Sequence, residues 1–125
     1  MTDPARSDLN SLSPCARRSA LALLVQQGDD AASAVLSGAL SGSHWPVCDE
    51  LADALAAIST GAARDALTGA LRARRHHVRS AAVKALVRLG DRDVREAIER
   101  LIQDPSYEVR QDVKEALRQL GGDER

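Results

Sequence analysis

A pattern of apolar and small residues returns every 31 positions along this chain of 125 residues. The later copies align residue for residue: Val78-Arg79, Ala82, Ala85-Leu86 and Leu89-Gly90 against Val109-Arg110, Val113, Ala116-Leu117 and Leu120-Gly121. Two backward steps of the same length give Val47, Leu51, Ala54-Leu55 and Ile58, then Ala16-Arg17, Ala20, Leu23-Leu24 and Gly28. A fixed period of this size is the mark of a stack, in which a unit too small to enclose a core buries its apolar face against its neighbours.

A second set of positions repeats in the other half of each unit. Val94, Ala97-Ile98 and Leu101-Ile102 map back onto Ala63, Ala66-Leu67 and Ala70-Leu71, and then onto Ala32, Val35-Leu36 and Ala39-Leu40. Spacings of three and four put each set on one face of a helix. Each unit is therefore two helices, A and B, and about seven helices in the order B-A-B-A-B-A-B cover most of the chain. Gly28, Gly90 and Gly121 follow the last apolar residue of a B helix, where a left-handed residue is expected to end it. Asp29-Asp30 is suited to starting the next helix. Asp104-Pro105-Ser106 and Ser43-His44-Trp45-Pro46 break the chain between A and B helices, since proline fits a turn but not a helix interior. Residues 13–121 read as the solenoid and 1–12 as a polar segment holding a short capping helix on Leu9 and Leu12. Residues 122–125 read as a disordered tail.

The run Asp104-Pro105-Ser106-Tyr107-Glu108-Val109-Arg110, followed by Val113, Ala116-Leu117, Leu120 and Gly121, resembles the short bacterial HEAT repeat, including the form found in phycobilin lyases. The resemblance implies an all-α, right-handed α-solenoid of antiparallel helix pairs. It is specific for fold and general for activity, because HEAT-like repeats serve scaffolds, inhibitors, lyases and nucleic-acid enzymes alike. The valine-arginine pair is complete only at Val78-Arg79 and Val109-Arg110; Ala16-Arg17 keeps the arginine and Val47-Cys48 loses it. Such arginines commonly form a ladder with carboxylates in HEAT-like proteins, and Asp104 and Asp112 are the expected partners here.

With no Phe, one Trp and one Tyr, the core must be built from Ala, Leu, Val and Ile. Met1 to Ser13 lacks the apolar stretch of a signal peptide, and the longest apolar runs fall short of the roughly 20 residues that span a bilayer. The expectation is a cytoplasmic protein whose two cysteines, Cys15 and Cys48, stay reduced. No phosphate loop, nucleophile elbow or metal-binding His-Glu pair is present, so no catalytic residue, no metal and no cofactor is expected.

Binding is the remaining role, and four features are candidates for it. Outward positions of the B helices are Leu21 and Val25, Ala52 and Ala56, Val83 and Val87, and Lys114 and Arg118. Flanked by Arg18, Asp49, Asp53, Lys84 and Arg88, they would form an apolar partner groove; alternatively Leu21 and Val83 wedge against neighbouring helices and only Val25 and Val87 show. Pro14, Trp45, His76 and Tyr107 share one register at the turn before each B helix, where the rings would either anchor a partner or seal the core. His44, His76 and His77 with Cys15 and Cys48 fall on that same edge. Because adjacent helices sit about 10 Å apart, they are expected as separate turn residues rather than convergent ligands. Finally, Arg72, Arg74, Arg75 and Arg79 form the densest basic stretch.

Charge is polarised although the net value is only -1: residues 1–60 sum to -4 and residues 61–125 to +3. Two functions remain open on these residues. One is a non-catalytic adaptor that holds another protein through the inner B-helix face and the turn edge, steered by that charge. The other is a lyase-like or nucleic-acid-binding protein that uses Arg72 to Arg79 on an anionic ligand. Weak self-association is expected at the N-terminal end of the stack, which has less polar cover than Lys114, Glu115, Arg118 and Gln119 supply at the other.

Overall fold

A computed structural model of the chain describes residues 9–90 and 92–121. A 3-10 turn at Leu9–Ser11 leads into α1 (Pro14–Gln27), α2 (Asp30–Ser41), α3 (Val47–Ile58), α4 (Gly61–Ala70), α5 (His76–Val87), α6 (Arg92–Glu99) and α7 (Tyr107–Gly121). There are seven α-helices and no strand among the described residues, and the architecture is an α-solenoid. The expected tail, 122–125, and most of the expected capping segment, 1–8, lie outside the described residues.

Short polar side chains start α1, α2 and α4 by accepting from otherwise unpaired first-turn amides. Ser13 Oγ accepts from the Ala16 amide (3.3 Å), Asp29 Oδ1 from Ala32 (2.9 Å) and Thr60 Oγ1 from Ala63 (3.2 Å). Gly28 (φ 62°) and Gly90 (φ 66°) supply left-handed stops after α1 and α5. Two positions depart from the glycine rule. Ser59, not a glycine, takes φ 53° to end α3, and Gly121, expected as a stop, is the last helical residue of α7. At Gly121 a Cβ would meet only the end of the Arg95 side chain, which is free to shift.

The odd-numbered helices form one layer and the even-numbered helices the other. α1, α3, α5 and α7 pack side by side in chain order, and α2 packs against α4 in the second layer. The second layer is less regular. α6, at eight residues, leans on α7 and α5 and barely touches α4. Between the layers runs a seam of Leu24, Leu55 and Leu86, all buried, continued by half-buried Leu117. Leu36, Leu67 and Ile98, one period apart in the even helices, are each fully buried. Every such leucine contributes roughly 1.5–3 kcal/mol of burial free energy.

The pattern breaks at the ends of the two described layers. Leu23 is 58% exposed, whereas its equivalents Ala54, Ala85 and Ala116 are buried against the preceding odd helix. Ile102 is 53% exposed, whereas Leu40 and Leu71 are buried. Leu23 stands on the first helix of the odd layer and Ile102 just beyond the last helix of the even layer, so the cause is position in the stack.

The recurring arginine fastens each turn to the helix that follows it. Arg17 Nη1 donates to the Leu12 carbonyl (3.0 Å), Arg79 Nη1 to Ala73 (2.8 Å) and Arg74 (3.0 Å), and Arg110 Nη1 to Asp104 (2.7 Å) and Pro105 (3.2 Å). Arg79 also makes a two-pronged pair with the Asp104 carboxylate, Nε to Oδ2 at 2.8 Å and Nη2 to Oδ1 at 3.0 Å. In the first unit the position matching Asp104 is Gly42, and Arg17 turns instead to Glu50 (2.7 and 3.3 Å). Asp112, the other expected partner, accepts from the Ser80 hydroxyl. Where Cys48 replaces the arginine, Arg75 reaches across from the next unit and donates to the Ser43 carbonyl (3.3 Å). The clamp survives with a donor from a different repeat.

Candidate functional site

These clamps hold a row of turns along one edge of the stack, and the largest exposed rings stand there. Trp45 is 60% exposed and Tyr107 67% exposed, with the His76 side chain between them in the same register and Pro14 exposed at the first turn. Neither ring seals the core. The Arg110 guanidinium lies 5.8 Å from the Tyr107 ring centroid, within reach of a cation-π contact that orients the ring. His44 faces Arg75, its Nδ1 3.1 Å from Nη1.

The adjoining face of the odd helices differs from the expected apolar groove. Leu21 (9% exposed) and Val83 (0%) are buried, as are Ala52 and Ala56. The physical reason is that these positions point into the crevices between successive odd helices, which fill them except for a small furrow of about 200 Å³ between α5 and α7, lined by Lys84, Val87, Asp112, Glu115, Ala116 and Gln119. Val25 and Val87 are half-buried and remain at the surface. Charged pairs bridge the helices instead: Lys84 Nζ to Asp49 Oδ2 at 3.3 Å and Arg88 Nη1 to Asp53 Oδ1 at 3.4 Å. On α7, Lys114 is exposed and Arg118 pairs with Glu115. The charges expected to flank a groove thus make a polar ladder from α3 to α5.

The basic stretch is divided by its own bonding. Arg79 is committed to Asp104 and two carbonyls, and Arg75 to Ser43 and His44. Arg72 and Arg74 are exposed. Arg72 also lines a shallow groove of about 480 Å³ on the even-helix side, floored by Gly38, Ala66, Gly69, Ala70 and Ala73. Asp104 shows how strongly the clamp acts. Burial pushes its carboxyl up, but hydrogen bonds from Arg79 and the Ser106 amide, with the charges of Arg79 and Arg110, outweigh that and hold it below the usual carboxylate range. For Arg17 the hydrogen bond to Glu50 raises the pKa against the lowering effect of burial. Burial pushes the Cys48 thiol up, with the Asp49 charge adding to it, whereas Cys15 is exposed.

Contrary to the expectation that the edge residues stay apart, three potential ligands meet there. His76 Nε2 lies 3.3 Å and His77 Nδ1 3.7 Å from the same Glu108 oxygen, Oε1, and the three ligand atoms fall within 4.8 Å of one another. The imidazole rings are 4.0 Å apart, tilted by 43°. Glu108 is one period on from His77, so stacking sets it opposite. Long side chains close a gap that the helix axes leave open. Cys15 and His44 take no part, and Cys48 lies beneath, its thiol 3.5 Å from the His77 carbonyl.

No helix among the described residues is long and apolar enough to cross a membrane. A comparison with curated proteins finds no match. The family model for HEAT repeats matches residues 70–125, which span the end of α4 through α7 and continue beyond the described residues. The seven helices among the described residues, the regular period and that match over the second half of the chain support a HEAT-like repeat protein.

Proposed function

We propose that the chain is a non-catalytic, cytoplasmic adaptor that holds another protein through its turn edge and the adjoining polar face of the odd helices. The observation that carries this reading is the exposure of Trp45 and Tyr107, two large rings in one register on a rigid edge. Rings of this kind dominate interfaces because they cover much area and lose little side-chain entropy on binding. The ladder of Asp49, Asp53, Lys84 and Arg88 beside them supports a partner of complementary charge, with the polarity of the chain steering approach. Exposed Leu23 supports weak self-association through α1 at high concentration. The free thiols of Cys15 and Cys48 fit a reducing compartment.

Affinity capture from the native cell tests the proposal, comparing the natural chain with Trp45→Ala/Tyr107→Ala and with Arg72→Glu/Arg74→Glu. Loss of a specific protein partner in the first variant alone is the expected result. Recovery of nucleic acid that disappears in the second variant would replace the adaptor by the anion-binding alternative. Substitution of Val83 is unsuited to this purpose, since it lies in the core.

A further inference from the structure

We infer that His76, His77 and Glu108 form a binding site for one first-row transition dication, with Zn²⁺ the best-fitting ion. Tetrahedral Zn²⁺ with bonds of about 2.0–2.1 Å to imidazole and carboxylate holds its ligand atoms roughly 3.4 Å apart. The observed separations from Glu108 Oε1, 3.3 Å and 3.7 Å, already match that spacing. Only the two nitrogens, within 4.8 Å of each other, must draw together, and both rings are accessible enough to turn: the side chains of His76 and His77 are 45% and 39% exposed.

A second observation points to a ligand. His77 Nδ1 is buried and has no hydrogen-bond partner. A ring nitrogen removed from water in this way is costly unless something takes its lone pair or its proton. Glu108 at 3.7 Å is too far for a hydrogen bond, whereas an ion seated between the three atoms would satisfy Nδ1 directly. Nitrogen donors disfavour Mg²⁺ and Ca²⁺, which take oxygen ligands; two imidazoles and one carboxylate suit Zn²⁺ and its neighbours.

The backbone around the site is fixed before any ion arrives. Arg79 ties the Ala73 and Arg74 carbonyls just ahead of His76, and the Cys48 thiol is set against the His77 carbonyl. Of the nearby cations, Arg79 and Arg75 are bound to other groups. Exposed Arg72 and Arg74 are screened by solvent. Three protein ligands leave a fourth position open to water or to a carboxylate or imidazole from another molecule. The ion would clip α5 to α7 beside Tyr107, adding to the Arg79–Asp104 and Ser80–Asp112 bonds that already join these two units.

The test is calorimetric titration of the full chain with ZnCl₂ in a non-coordinating buffer, paralleled by the visible spectrum of the Co²⁺ form. Expected are one equivalent bound, a tetrahedral Co²⁺ absorption, and a Zn²⁺-dependent rise in the thermal midpoint, because an ion that binds the folded state alone stabilises it. Binding and the thermal rise should both be lost in His76→Ala and in Glu108→Gln, each verified as folded by far-ultraviolet circular dichroism. No uptake by the natural chain at about 100 μM free Zn²⁺ overturns the assignment, since structural zinc sites saturate far below that concentration. Undiminished binding in either variant overturns it equally.

Discussion

Removing the Asp104 carboxylate should destabilise the fold more than any other single change to a charged pair. Asp104 accepts from Arg79 Nε at 2.8 Å, Arg79 Nη2 at 3.0 Å and the Ser106 amide at 2.9 Å. Its side chain is 3% exposed and that of Arg79 15%. Asp104→Ala leaves the guanidinium with only the Ala73 and Arg74 carbonyls, and breaking a buried pair in this way costs about 3–5 kcal/mol. Asp104→Asn keeps one acceptor oxygen, and by the worth of charged hydrogen bonds it should cost about 2–3 kcal/mol. For a chain of this size, 1 kcal/mol corresponds to roughly 4 °C of thermal midpoint. The pH dependence gives a sharper check. The Asp104 pKa is depressed in the folded state, so its contribution is fully present above the ordinary value of 3.8 and is lost as pH falls through the lower folded value. Urea unfolding at pH 7 and at successive acid values should show the natural chain converging on Asp104→Asn only below that range. Asp49→Asn, from an exposed pair, should cost no more than about 1 kcal/mol. If Asp104→Asn and Asp49→Asn are equally mild at neutral pH, the clamp is not the structural element argued here.

Chemical denaturation should likewise separate seam from surface: Leu55→Ala is expected to cost about 2–5 kcal/mol by leaving a cavity, and Leu23→Ala, 58% exposed, close to nothing. Arg75→Ala should cost about 1 kcal/mol through loss of the bond to the Ser43 carbonyl, and the double substitution Cys48→Arg/Arg75→Ala should recover part of it by restoring the usual donor. Gly28→Ala should destabilise by about 1–2 kcal/mol, the penalty for a side chain in the left-handed region, with the new Cβ tight against the Val25 carbonyl at 3.3 Å.

Periodicity made the layers and the seam legible, because a 31-step register fixes which residues share a helix face and which faces meet. It could not reveal what happens where a unit lacks a neighbour. Leu23 reads like Ala54 and Ile102 reads like Leu71, yet each is exposed at an end of its described layer. Nor does a period show how closely successive helices approach, which is why the sequence leaves both a groove and a wedge open for Leu21 and Val83, and their burial with Val25 and Val87 at the surface matches the wedge. The Arg79–Asp104 pair was readable from residue type and register. Its absence in the first unit follows from Gly42 standing where the aspartate would be, a comparison that the sequence does permit. Glu108 escaped notice for a different reason. The spacing between helix axes keeps neighbouring units apart, whereas the reach of His77 and of the glutamate one period on brings their ligand atoms together. Ser59 carries no local signal for its left-handed backbone, and only the packed structure displays it.

The hydrogen bond from Arg75 to Ser43 makes one copy in the middle of the stack depend on the next. Tandem arrays ordinarily gain or lose a whole unit without injury, since each copy carries its own fastenings. Here one copy borrows a fastening from the next, so excision of a period that keeps Cys48 but removes Arg75 strips a turn of that bond even though the helical phase is preserved. Shortening or grafting of this chain is safest where the turn at Ser43 keeps either Arg75 or an arginine at the position of Cys48.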